Sequence, residues 1–540
     1  MSQVNVERFD DFTGGLNLRA DQFQLKRNES PDMLNVEVDP RGGLFSRGAM
    51  REINSTAVAY TGTWNPERLF NFSGTTPYIL LCAESKVYKS TGADFTTLQY
   101  SSGNDITATS SHGVCMAQWG EYMYMVSGSG STNGGYRWKA TDTYATSLSP
   151  AGTNPNDWQT AIDSSVHHLP KAEHLIVHAN KLIAANTNEG GVSYPNRVRW
   201  SIEGAPENWI QSDYIDFEGG GLGVTAVAVV QGQLVVFKPR AVYVVYGYDK
   251  TDFQVVELTA KLGLLSHHHM CIAENGVYFY SHPQGVFYYN GNSLTNVSLN
   301  INPIFPLGYV NDASIIKVSM SYMNRRVWLA LPYSKTTTSS DLTVNFVYDP
   351  QINNGTWLLH STGDGYAVCG GVDWTNASGT SMALAIHATK PRVLRCDMYN
   401  EETDLIGGNE TSFSSYYRTG WVDGQTYSMK KMFRRPDIII KQADTARTIN
   451  VKVFHNFEEA LGNEKKTFNV NLPSSVSGMV WGEGRWGSGE WGIQAQGGQL
   501  YRGTNLGLAR SVQLLFTGPT GNSWGIDSIS YKFNTRKVTG

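Results

Sequence analysis

The feature that most constrains this chain is a unit that returns along its middle: a short β-rich run, a tight turn, then a second β-rich run carrying aromatic residues. It is clearest in Asn275–Asn292, where NGVYFYSHPQGVFYYNGN sets two alternating strands around Pro283-Gln284-Gly285 and closes on Asn290-Gly291. Pro presets one turn dihedral, while Gly and Asn tolerate the left-handed ones, so the segment is a hairpin with turn chemistry at both ends. Weaker copies occupy Tyr78–Lys89, Val114–Trp138, His174–Trp200, Val224–Tyr246, Ser319–Tyr348 and Ala367–Leu394. Their starts fall roughly 35 to 60 residues apart, a loose period that suits radially arranged four-stranded blades better than the stricter repeat of a solenoid.

The expectation is an all-β chain whose residues 55–400 form a β-propeller of six or seven blades. A set of ordinary β-sandwiches is the alternative. Composition agrees with either: 17% of residues are charged, and 55 Gly, 28 Tyr, 21 Phe and 14 Trp favour strands and tight turns over long amphipathic helices.

The two ends differ from the middle. Residues 1–54 are polar, rich in Gly and Asp and poor in alternation, and are expected to run as an arm over neighbouring structure. Residues 401–540 show strand-like runs at Ser415–Asp423, Arg435–Lys441, Ile449–Asn456, Lys466–Leu472, Ser511–Phe516 and Ile526–Phe533, enough for a C-terminal β-sandwich-like domain. Within it, residues 481–492 read WGEGRWGSGEWG, with Trp481, Trp486 and Trp491 evenly spaced in a Gly-rich loop. Such rings need covering, so the loop is a candidate interface or a tip that grips sugar or an apolar surface.

Charge argues against a tight nucleic-acid binder: the net charge is −4, with Lys and Arg dispersed. A protein that DNA merely passes would have this balance, and so would an ordinary soluble one. The five cysteines (82, 115, 271, 369, 396) are far apart and never in a C-x-x-C pair, as expected of free thiols in a reducing cytoplasm. Met1–Phe12 carries acids where a secretion signal needs an apolar run, and Val224–Tyr248, the most apolar stretch, is broken by Gln231, Gln233, Lys238 and Arg240.

Catalytic signatures are weak. Gly482–Gly487 fits G-x-G-x-x-G but lies in the Trp-Gly loop, and the chain has no Walker lysine loop and no H-E-x-x-H. In a strand, His267 and His269 would share a face and could share an ion, but packed or solvated imidazoles at a blade edge are the simpler reading. Ser90–Thr97 faintly resembles a sialidase Asp-box turn, without its closing Trp and without recurrence. Asp10, Asp11, Glu401, Glu402 and Asp404 are taken as surface acids. Trp119, Trp138, Trp200, Trp328 and Trp357 follow strand alternation and are assigned to the core. No catalytic, metal or cofactor residue is assigned, and the chain is read as a non-enzyme.

Several stretches, in order along the chain, resemble the nozzle proteins of short-tailed bacteriophages, also known as the tail tubular protein B family. They are Phe12–Leu18 (FTGGLNL), Asn28–Val36 (NESPDMLNV), Asp39–Gly43 with Arg47-Gly48, Arg197–Ser201 (RVRWS) with Pro206–Trp209, and Leu262-Gly263 leading into Gly276–Phe279 and Gly285–Tyr288. Arg326–Leu329 leading into Val347–Asp349 and Trp357 completes the series. The likeness covers the arm and most of the middle and does not extend to the C-terminal part. It implies a structural virion protein made in the host cytoplasm: a homohexameric ring below the head-to-tail adaptor that continues the DNA channel and supports tail fibres or spikes. Double-stranded DNA would pass the lumen without sequence-specific binding, and the tip would face the host envelope. Six copies at −4 give about −24, which disfavours adhesion of DNA if the acids face inward. The alternative is a receptor- or carbohydrate-binding tail protein that uses the Trp-Gly loop.

Overall fold

A computed structural model describes the chain except for residues 1–3, 22–23, 61–63, 109–112, 131–134, 149–165, 249, 337–338, 400, 441–446, 473–498, 522 and 536–540. The described chain is all-β, with three short 3-10 turns as its helical elements.

Each repeated sequence unit falls within one antiparallel meander sheet. Seven such sheets follow in chain order, and their first strands are Pro66–Phe72, Cys115–Trp119, Lys171–His178, Ala226–Val230, Met270–Ala273, Ser319–Met323 and Val368–Thr375. In the fifth sheet the pairing Ser281↔Gly285 closes the turn read from Pro283-Gln284-Gly285. In the fourth, Ala226–Val230, Gln233–Phe237 and Val242–Tyr246 are followed by Gln254–Thr259, which forms the outer edge.

Inner strands such as Gly276–Ser281 are buried at every residue, because neighbouring sheets cover both faces. Apolar clusters fill each gap between neighbours. Leu80, Val87 and Trp138 join the first and second sheets; Tyr124, Leu175 and Trp209 join the second and third. Trp200 and Val236 join the third and fourth, and Phe237 and Phe279 the fourth and fifth, their rings 5.2 Å apart. Leu69, Leu81, Trp374 and Ile386 join the seventh back to the first, where Val368–Thr375 packs against Pro66–Phe72.

The seventh sheet takes its fourth strand from the other end of the chain. Ala49–Glu52 pairs antiparallel with Val393–Met398, through Leu394↔Glu52 and Arg395↔Arg51. Other described parts of the N-terminal region also form strands, and Phe9, Phe12, Met33, Val36 and Leu44 are buried. Asn5–Phe9 pairs with Gly525–Thr535, Met33–Leu34 with Tyr416–Arg418, and Leu44–Ser46 with the start of Gly525–Thr535.

Two C-terminal sheets share one apolar core. One is built on Asp437–Ile440 and Gly525–Thr535, the other on Arg447–His455 and Val512–Thr517. Ile438, Ile529 and Phe533 from the first meet Val451, Leu514 and Phe516 from the second, and this core runs on through the N-terminal Phe12 and Met33 into Trp357 and Leu358 of the sixth sheet.

Candidate functional site

The N-terminal stretches that carry the family resemblance lock this region to the sheets. Thr13-Gly14-Gly15 lies on the sixth sheet: the Thr356 hydroxyl donates to the Thr13 carbonyl at 2.5 Å, and a Cβ on Gly15, whose φ is +59°, would sit 2.6 Å from the Trp357 carbonyl oxygen. Only glycine meets both demands. Glu29 is buried and accepts from the Asn17 amide and the Lys26 N–H. Asn35, at φ +53°, donates to the Ser414 carbonyl and accepts from the Ser361 N–H.

Arg47 is the centre of this clamp. Its guanidinium bonds Asn35, the Gly48 and Ser361 carbonyls and both oxygens of Asp404, so all five N–H donors have partners, and it stacks 3.8 Å from the Phe413 ring. Asp404 is thus fully buried and paired, in contrast to the surface position expected of it, because it also accepts the Met50 and Gly363 N–H groups. Nearby, Arg326 pairs with Glu37 of the N-terminal region at 3.0 Å and with Asp349 of its own sheet at 2.8 Å.

The Arg197–Ser201 and Pro206–Trp209 stretches spend their polar groups inside the third sheet. Arg197 pairs with Glu189 and Asp216 and lies between the rings of Tyr194 and Tyr214, 3.8 and 3.7 Å from their centroids. Arg199 pairs with the same Glu189, the Ser201 hydroxyl accepts the Leu182 N–H, and the buried Trp209 indole donates to the Pro206 carbonyl. Leu262-Gly263 works by close approach: a Cβ on Gly263 would lie 2.1 Å from the Lys238 carbonyl oxygen.

His267–His269 form a 3-10 turn and not a strand. The Ser266 side chain caps the turn by accepting the His268 N–H, which removes the two-residue alternation that would have aligned His267 and His269. Both are buried, and His269 Nε2 lies 3.0 Å from the Ile315 carbonyl oxygen. Among the described residues no group of three or more His, Cys, Asp or Glu is placed to hold a metal ion. In the Ser90–Thr97 turn, the Ser90 hydroxyl accepts the Gly92 and Ala93 N–H groups, and Asp94 accepts the Thr56 N–H. Of the core tryptophans, Trp138, Trp200, Trp328 and Trp357 are buried and Trp119 is half-buried. Trp481, Trp486 and Trp491 lie outside the described residues.

Two features had no signal in the sequence. The first strands of all seven sheets converge on one cavity of about 440 Å³, lined among others by Arg68, Cys115, His174, Val227, Cys271, Tyr322 and Val372. At the opposite, outer end of the fourth sheet, Gln254–Thr259 exposes Val255 and Val256 beside exposed Tyr246 and Tyr248. Among the described residues no strand pairs with its free edge.

No family model and no curated protein matches the chain. Among solved structures, the extracellular domain of a putative hybrid two component system from B. thetaiotaomicron is similar at a TM-score of 0.36 and 9% identity, over 64% of this chain and 39% of that one. A structure described as the extracellular domain of a putative one component system from the same organism gives the same score and identity over 72% and 43%. The chain therefore spans about two fifths of the length of these structures, and nothing about its activity follows from them.

Proposed function

We propose that this chain is a structural component of a short bacteriophage tail, a nozzle-type subunit whose work is done by its interfaces. In this reading the seven meander sheets are the blades of a seven-bladed β-propeller, and Ala49–Glu52 completes the last blade. In the same reading residues 401–540 are a β-sandwich-like domain, tied to the propeller by the N-terminal arm.

The observation that carries the reading is the fate of the stretches resembling the nozzle family. Thr13–Gly15, Asn35, Arg47, Arg326 and Asp349 are all committed to internal clamps, which suits a rigid part of an assembly. The exposed apolar edge at Val255 and Val256 supports assembly, since a free strand edge of this kind invites pairing or packing with another chain.

DNA would not thread one subunit. The central cavity of about 440 Å³ is far too small for a duplex whose major groove alone is about 12 Å wide. The conduit belongs on the axis of a homohexamer, below the head-to-tail adaptor, with fibre or spike proteins docked outside. Imaging the chain mixed with its adaptor complex tests this: six copies around an open axis support it. A trimer that ignores the adaptor and binds cell-surface glycan would replace it with receptor binding.

A further inference from the structure

The cavity where the seven first strands meet carries one permanently charged side chain. Arg68, on Pro66–Phe72, lines it and has no hydrogen-bond, ion-pair or ring partner among the described residues. No Asp or Glu is in the lining. Four arginines with largely buried side chains are paired: Arg47 with Asp404, Arg197 and Arg199 with Glu189, Arg326 with Glu37 and Asp349. An unpaired guanidinium in a partly enclosed site is costly, and the protein supplies its buried arginines with carboxylates. At Arg68 that carboxylate is missing and a cavity stands in its place.

We propose that this cavity binds a small oxyanion, a free phosphate or a small carboxylate, with the Arg68 guanidinium as its anchor. A planar guanidinium offers paired N–H donors that match two oxygens of such an anion. The Tyr322 side chain, from the first strand of the sixth sheet, lines the same cavity and gives a second donor; its hydroxyl is pushed up to about 12, chiefly by burial, so it keeps its proton at neutral pH. The thiol of Cys271, also in the lining, is likewise pushed up to about 12 by burial and stays neutral, adding no competing negative charge. Burial pulls the Arg68 guanidinium below its usual value, a cost that a bound anion would offset. Anchoring one ion between strands from separate sheets would also tie those sheets together at their centre. The proposal is independent of the tail assignment.

The test is calorimetric titration of the full chain with inorganic phosphate, and separately with acetate, at constant ionic strength in chloride, for the parent and for Arg68→Gln. Saturable binding of either anion to the parent, weakened roughly tenfold or more in the variant, is the expected result and tells which anion the site prefers. No saturable heat with either anion, or equal binding by the variant, overturns it. If Arg68→Gln does not fold, the parent structure determined from phosphate buffer decides: an anion against Arg68 supports the site, and solvent alone there refutes it.

Discussion

Arg47 and Asp404, 357 positions apart, form a two-pronged ion pair at 2.9 and 2.7 Å with side chains 1% and 0% exposed. The pair fixes the N-terminal region against the strand Asp404–Ile406, beside Ala49–Glu52 in the seventh sheet. Removing one partner leaves the other charge buried and unmatched. Asp404→Asn is expected to cost roughly 3–5 kcal/mol, read as a lower urea midpoint. A loss under 1 kcal/mol would mean the clamp is dispensable.

Glu67, on the first strand of the first sheet, gives a pH signature. Burial is the main cause that pushes its carboxyl up to about 7, against a smaller lowering by the Ser85 N–H it accepts, and its second oxygen has no hydrogen-bond partner among the described residues. The folded value lies above the unfolded one, so the folded state holds this proton more tightly. Glu67's contribution is fully present below about pH 4.5 and is lost as pH rises through about 7. Relative to Glu67→Gln, the parent should lose on the order of 1–3 kcal/mol between pH 5 and 8. Parallel stability curves for the two proteins would refute this.

Gly263→Ala tests the close approach behind the Leu262-Gly263 stretch. The obstacle is the backbone of Lys238 and Pro239, which cannot rotate aside as a side chain can. A loss of roughly 1–3 kcal/mol is expected in thermal or urea unfolding, and an unchanged midpoint would contradict the packing.

Val256→Lys places a charge on the free edge of the fourth sheet, the device by which natural edges avoid pairing. The position is exposed, so monomer stability should move by less than about 0.5 kcal/mol while assembly weakens. Sedimentation of parent and variant at matched concentration checks both. Unaltered assembly would exclude this edge from the subunit contact.

The sequence was legible where neighbours in the chain are neighbours in space. Turn chemistry such as Pro283-Gln284-Gly285 and the alternation around it locate one sheet per repeated unit, because a hairpin is a local object. Fourth strands were harder: Gln254–Thr259 exposes both faces and so lacks alternation, and the seventh sheet takes Ala49–Glu52 from over 300 residues away. Asp404 looked like a surface acid because its partner is equally remote, and His267–His269 looked like a strand because a capping serine leaves alternation in the sequence intact. Arg68 is unremarkable in its strand. Its significance arises only where strands from seven sheets converge.

The number of copies in an assembled particle tests the proposed tail role most directly. Native mass spectrometry of the purified chain, alone and with the head-to-tail adaptor complex that the proposed tail role implies, measures it. Six copies, formed alone or on the adaptor, are the predicted result. A stable trimer indifferent to the adaptor would contradict the nozzle assignment.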